Sequence, residues 1–76
     1  MNTTGFSPKD IICCDVRGDL FYAFVAGRDT PKTTSDPMAL RYPIRIEAMG
    51  RRPIPRLRVK ASEVVGHWRK SKQSQV

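Results

Sequence analysis

Two neighbouring thiols and one imidazole, Cys13, Cys14 and His67, are the groups in this chain best suited to nucleophilic or metal chemistry. A hydrolytic site needs an activated Ser or Cys beside a base that a third group orients. Any such base must be His67, the single histidine of the sequence. Cys13 or Cys14 could meet His67 across a small barrel, yet nothing in the local sequence marks either thiol as activated, and a lone histidine in a strand is far more often structural. Zinc is no better served. Cys13 and Cys14 diverge in any strand, and with His67 they make three ligands where a structural site takes four in a tetrahedron. Vicinal cysteines do not form a disulfide framework, because bridging neighbours distorts the backbone. The glycines at 5, 18, 27, 50 and 66 are isolated, so no phosphate-cradling or dinucleotide spacing exists. Arg17-Gly18-Asp19 spells an integrin-binding tripeptide, but turn chemistry is the simpler reading. The expectation is a protein that is not an enzyme, with no cofactor, no metal and no small-molecule substrate.

What remains is positive charge. The chain carries a net charge of +7, with an isoelectric point near 10.1. Residues 1–40 hold four Lys or Arg against five Asp, whereas residues 41–76 hold ten against Glu47 and Glu63. The second half is therefore a cationic surface suited to an anionic partner, and nucleic acid is the commonest such partner. Seven of those ten cations are arginine, whose planar fork binds phosphate oxygens bidentately and so favours specific contacts over mere solubility. Arg45, Arg56, Arg58 and Lys60 on two strands, with Arg51 and Arg52 in the turn between them, are the candidate binding set. The plain alternative is a solvated charged face. Trp68, followed by Arg69, Lys70 and Lys72, offers a stacking surface with a cationic fringe. Its competing reading is core, since such side chains dominate burial in small domains.

These residues have to be positioned by strands. In residues 42–49, Tyr42, Ile44, Ile46 and Ala48 alternate with Pro43, Arg45, Glu47 and Met49, the period of two of a half-buried strand. Leu57, Val59 and Ala61 then point inward while Arg56, Arg58 and Lys60 point outward. Gly50-Arg51-Arg52-Pro53 supplies the turn. Pro53 and Pro55 stiffen the tip around Ile54, either to hold it out for a partner or merely to make an awkward turn. Upstream, residues 11–16 are rich in β-branched side chains and read as a strand. Residues 20–26 are apolar on both parities, which suits a central strand covered on both sides or one whose second face meets a partner. Residues 28–40, with two prolines, read as a long loop without periodicity. Ala61-Ser62-Glu63-Val64 makes one tight turn capped by Ser62, and residues 65–69 run back as a fifth strand.

The architecture expected is all-β: a small five-stranded barrel-like domain over residues 10–69, with a long central loop, a flexible arm at 1–9 and a flexible basic tail at 70–76. The order of PIRIEAMG and then RLRVKASEVVGHW resembles small barrels of the Src-homology, Tudor and KOW type, in which a tight helical turn separates the fourth and fifth strands. The Gly-rich first turn of KOW modules is not evident. A second resemblance uses RRPIPRLRVKASEVVGHWRK, which is similar to the wing and closing helix of small excisionase-like winged-helix proteins. That resemblance implies a helix capped by Ser62 and carrying Val64, Val65 and Trp68 on one face. Residues 11–26, where such proteins need a helix-turn-helix, read as strand instead.

A chain of this size buries only about 60% of the surface its unfolded form exposes. It contains no apolar run near the roughly 18 residues of a membrane span, and its first residues lack the order of a secretory signal. The expectation is a cytoplasmic protein that regulates transcription or a related process by binding DNA, RNA or an acidic surface of a nucleic-acid-processing protein, with no membrane partner. The alternative is a protein-binding modulator of phage or plasmid type that docks on a host enzyme such as RNA polymerase.

Overall fold

A computed structural model describes residues 5–69 of the chain. Its elements are β1 (Ile11–Val16), β2 (Asp19–Arg28), α1 (Pro37–Arg41), β3 (Ile44–Glu47), β4 (Arg58–Val59), a 3-10 turn (Ala61–Glu63) and β5 (Val64–Trp68). The strands form one sheet in the order β4-β3-β2-β1-β5, antiparallel at every pairing. The sheet curls into a half-barrel, so the domain is all-β. Two register shifts, between Cys13 and Cys14 and between Val25 and Gly27, add twist where the sheet must bend.

Alternation builds the core. Ile12, Cys14 and Val16 of β1, Ala23 and Val25 of β2, Ile44 and Ile46 of β3 and Val59 of β4 line the inner face. Arg45 and Glu47 point away from it, as the period of two in residues 42–49 requires. The β1–β2 connection is a two-residue turn in which Arg17 (φ 55°) and Gly18 (φ 89°) both take positive φ. That is the geometry whose twist matches the flanking strands. Asp15 secures it by accepting from the Gly18 N–H at 2.9 Å.

Several expectations are corrected. The loop expected over residues 28–40 is shorter at both ends, because β2 runs on to Arg28 and α1 starts at Pro37. Asp36 caps that helix by accepting from the Met38 N–H at 3.0 Å, with proline just inside its start. Both are established N-terminal signals. The fourth strand is only two residues long, and Leu57, expected inside, is 72% exposed. Two prolines remove donors just before it, so regular pairing starts late. Of the two readings of the Pro53-Ile54-Pro55 tip, the one that holds Ile54 out for a partner is the one set aside, since Ile54 packs against the core. Ser62 lies within the 3-10 turn rather than capping it, and Glu63 instead accepts from the Lys60 N–H at 3.0 Å. Residues 64–68 are β5, not the closing helix of the winged-helix reading.

The arm is fastened as far as it is described. Phe6 packs against the core and meets the His67 ring at 4.6 Å, and the Lys9 N–H donates to the Val25 carbonyl at 2.7 Å. Residues 1–4 and the tail at 70–76, Lys70 among them, lie outside the described residues.

Candidate functional site

Tyr42 closes α1 and leads into β3, and four cations gather on it. The Arg56 guanidinium carbon lies 4.9 Å from the ring centroid, the Lys60 ammonium 5.6 Å and the Arg41 guanidinium carbon 5.9 Å, all within cation–π range. Arg58 Nη1 sits 3.5 Å from the Tyr42 carbonyl oxygen. Arg56, Arg58 and Lys60 thus come to one place, as an extended chain of period two brings them. Arg41 was missed in the sequence, since a helix end at that point was not expected. Its signal was the Asp36-Pro37 pair, which starts a helix whose one turn ends beside Tyr42.

The cationic ladder is partly neutralised. Arg58 binds the Asp29 carboxylate at 2.5 Å, and Arg45 approaches the same oxygen at 3.4 Å. One Arg56 nitrogen reaches both Glu63 oxygens, at 3.0 and 3.1 Å. Both acids were overlooked as partners. Asp29 directly follows β2, far from the arginines in sequence, so only tertiary folding brings it within reach, while Glu63 was visible just after the arginine run. Even so, Arg41, Arg45, Arg56, Arg58 and Lys60 outnumber Asp29 and Glu63, and the region keeps positive charge. Arg51 and Arg52 are exposed in the connection between β3 and β4. No acid pairs with them among the described residues. Met38, Tyr42, Pro55, Arg56, Leu57 and Arg58 line a shallow groove beside this cluster, of about 570 Å³.

The hydrogen bond from Arg58 holds the Asp29 carboxyl below its ordinary value of 3.8, against a weaker opposing push from desolvation and with help from the Arg45 charge. A carboxyl whose folded value is depressed stabilises the fold fully above its unfolded value and loses that contribution as the pH falls through the folded one. Urea midpoints compared at about pH 5 and about pH 2.5 should therefore drop more for the wild-type chain than for Asp29→Asn. Equal drops would mean that the Arg58 contact adds nothing in solution.

Trp68 is 48% exposed, so it is not core. Its ring meets Tyr22, itself 54% exposed, at 5.8 Å between centroids. Arg69 is exposed beside it, and its guanidinium lies against Gly5. The second face of β2, apolar in sequence, is thus open at Leu20 and Tyr22.

Cys13 and His67 lie on opposite faces of the sheet, whereas Cys14 shares the inner face with His67. In register, His67 stands opposite Ile12 on the inner face, while Cys13 stands opposite Gly66 on the outer one. His67 Nε2 bonds the buried Asp10 carboxylate at 2.8 Å. Burial, reinforced by Cys13 and Glu63, raises the Cys14 thiol to about 11, which keeps it protonated and unreactive at neutral pH. No helix among the described residues is long and apolar enough to cross a membrane. No protein-family model, curated protein or solved structure matches this chain.

Proposed function

We propose that this is a small basic, non-enzymatic binding protein that acts on nucleic acid through the surface around Tyr42. The observation that carries this reading is the convergence of Arg41, Arg56 and Lys60 on the ring of Tyr42, with Arg58 at the backbone carbonyl of the same residue. Mutual repulsion among cations held that close is relieved when a phosphate chain lies against them and releases its counterions. Regulation of transcription or a related process in the cytoplasm is the setting this role implies. The 3-10 turn between β4 and β5 falls where the resemblance to small barrels of the Src-homology, Tudor and KOW type implies one, and the functional reading itself rests on charge.

The test is salt. Affinity for a mixed-sequence oligonucleotide should fall steeply with salt concentration, by about 0.7 to 0.9 in logarithmic slope for each phosphate neutralised. Arg56→Ala with Arg58→Ala should flatten that slope. Arg51→Ala with Arg52→Ala should flatten it more, because Arg56 and Arg58 already share their charge with Glu63 and Asp29. No binding at low salt eliminates the reading.

A modulator of another protein is the second reading, favoured by one observation. Met38 and Leu57, 57% and 72% exposed, place aliphatic surface beside the same cations. Such a mixed rim also suits an acidic protein surface. Retention of one defined acidic protein from a nuclease-treated lysate, abolished by Leu57→Asp, would support it, and loss of every partner on nuclease treatment would count against it.

A further inference from the structure

The face of the sheet turned away from the core is continuous from β5 to β4, and its composition changes across it. One cross-strand row runs Trp68, Ile11, Phe24, Glu47, and the next holds Gly66, Cys13 and Tyr22. Beyond Phe24 and Glu47 comes the row Gly27, Arg45, Arg58. Aromatic side chains on β5 and β2, with Ile11 and Cys13 of β1 between them, therefore give way to Arg45 and Arg58 on β3 and β4, within four strand spacings of about 4.8 Å each.

Two features make the aromatic part a platform rather than an incomplete core. First, Trp68 is backed by the strand: a Cβ at Gly66 would stand 2.9 Å from the edge of its six-membered ring. Glycine lets the indole lie across the backbone, and half of the side chain still faces solvent. Second, Tyr22 lies beside it at an interplanar angle of 37°, so the two rings form a stepped surface. Neighbouring Leu20 and Val65 are 67% and 60% exposed.

We propose that this face takes single-stranded nucleic acid, with unpaired bases stacking on Trp68 and Tyr22 while the phosphates run toward Arg45 and Arg58. The inference rests on the nucleic-acid reading above and specifies its ligand: a duplex keeps its bases paired inside and has nothing to lay on the rings, whereas a single strand does. Charge complementarity selects this occupant over a second copy of the chain, because two copies each carrying +7 repel one another. Phosphate competes there with two acids, Glu47 in the row itself and Asp29, which pairs with Arg45 and Arg58; replacement of Glu47 by glutamine should strengthen binding.

The chain contains a single tryptophan, so Trp68 emission reports on the face directly. The full chain is titrated at low salt with a mixed-sequence single-stranded DNA labelled for anisotropy, and with the same sequence as a duplex. The single strand should quench Trp68 and bind at least about tenfold more tightly than the duplex. Tyr22→Ala and Trp68→Ala should each weaken single-strand binding by about 5- to 150-fold, the range for loss of one stacked base, and leave duplex binding unchanged. Tyr22→Phe should retain it, and circular dichroism checks that each variant is folded. Equal affinity for both forms, or folded Tyr22→Ala and Trp68→Ala variants with unaltered single-strand affinity, overturns the platform. If Arg51→Ala with Arg52→Ala still weakens binding in that case, the charge-based reading survives alone. Absence of binding to either form overturns both. A change of Trp68 emission with protein concentration in the absence of DNA, together with dimerisation in sedimentation, overturns the platform in favour of self-association.

Discussion

Ile12→Ala is expected to leave the chain largely unfolded at room temperature. Ile12, the second residue of β1, is 0% exposed between β2 and β5, opposite Ala23 on one side and His67 on the other. Removing buried methyl and methylene groups there costs about 2–5 kcal/mol, as lost transfer energy plus a cavity. A core of this size supplies only about 3–5 kcal/mol in total, so one substitution consumes most of it. Val65→Ala removes comparable surface from β5, but Val65 is 60% exposed, and its cost should stay within about 0.5 kcal/mol. Urea unfolding followed by far-ultraviolet circular dichroism separates the two. Similar midpoints for both variants would show that β1 is not the centre of the packing.

Glu63→Gln should act in two opposite directions at once. Glu63 accepts from Arg56 and from the Lys60 N–H, so it ties β4 to the turn that launches β5. An amide in its place keeps one acceptor oxygen and loses the charge. The expected loss is about 1–2 kcal/mol of stability, in the range for hydrogen bonds to charged groups that are only partly buried. Binding to nucleic acid at low salt should nevertheless strengthen several-fold, because Arg56 loses its internal counter-charge and becomes available to phosphate. Lower thermal stability together with weaker binding would mean that Glu63 orients Arg56 for its ligand rather than competing for it.

The opposition has a structural basis. Each acid that stabilises the β3–β4 edge, Asp29 for Arg45 and Arg58 and Glu63 for Arg56, also reduces the field the edge presents. Arg51 and Arg52, on a connection interrupted by Pro53 and Pro55, are exposed. They contribute to that field without contributing to the fold.

Strand identity was legible in residue order because it follows from local alternation. The pattern of residues 42–49 placed Ile44 and Ile46 on one face and Arg45 on the other, and the β-branched run of residues 11–16 marked a strand without saying which of its faces is inside. The alternation did so because a strand turns each successive side chain to the opposite face whatever it pairs with. The Arg17-Gly18 turn was equally local. Charge asymmetry between the halves required only counting.

Tertiary structure decided what depends on distant partners. Alternation put Leu57 inside, but pairing with β3 becomes regular only at Arg58, after the prolines, and Leu57 stays in solvent. Composition left the second face of β2 undetermined between buried and open. Nothing in the described residues covers Leu20 and Tyr22, and Trp68 joins Tyr22 from the far side of β1. The pairing of Arg58 with Asp29 spans 29 positions. No short-range pattern encodes such a contact, because it exists only once the curl of the sheet has brought the end of β2 against β4.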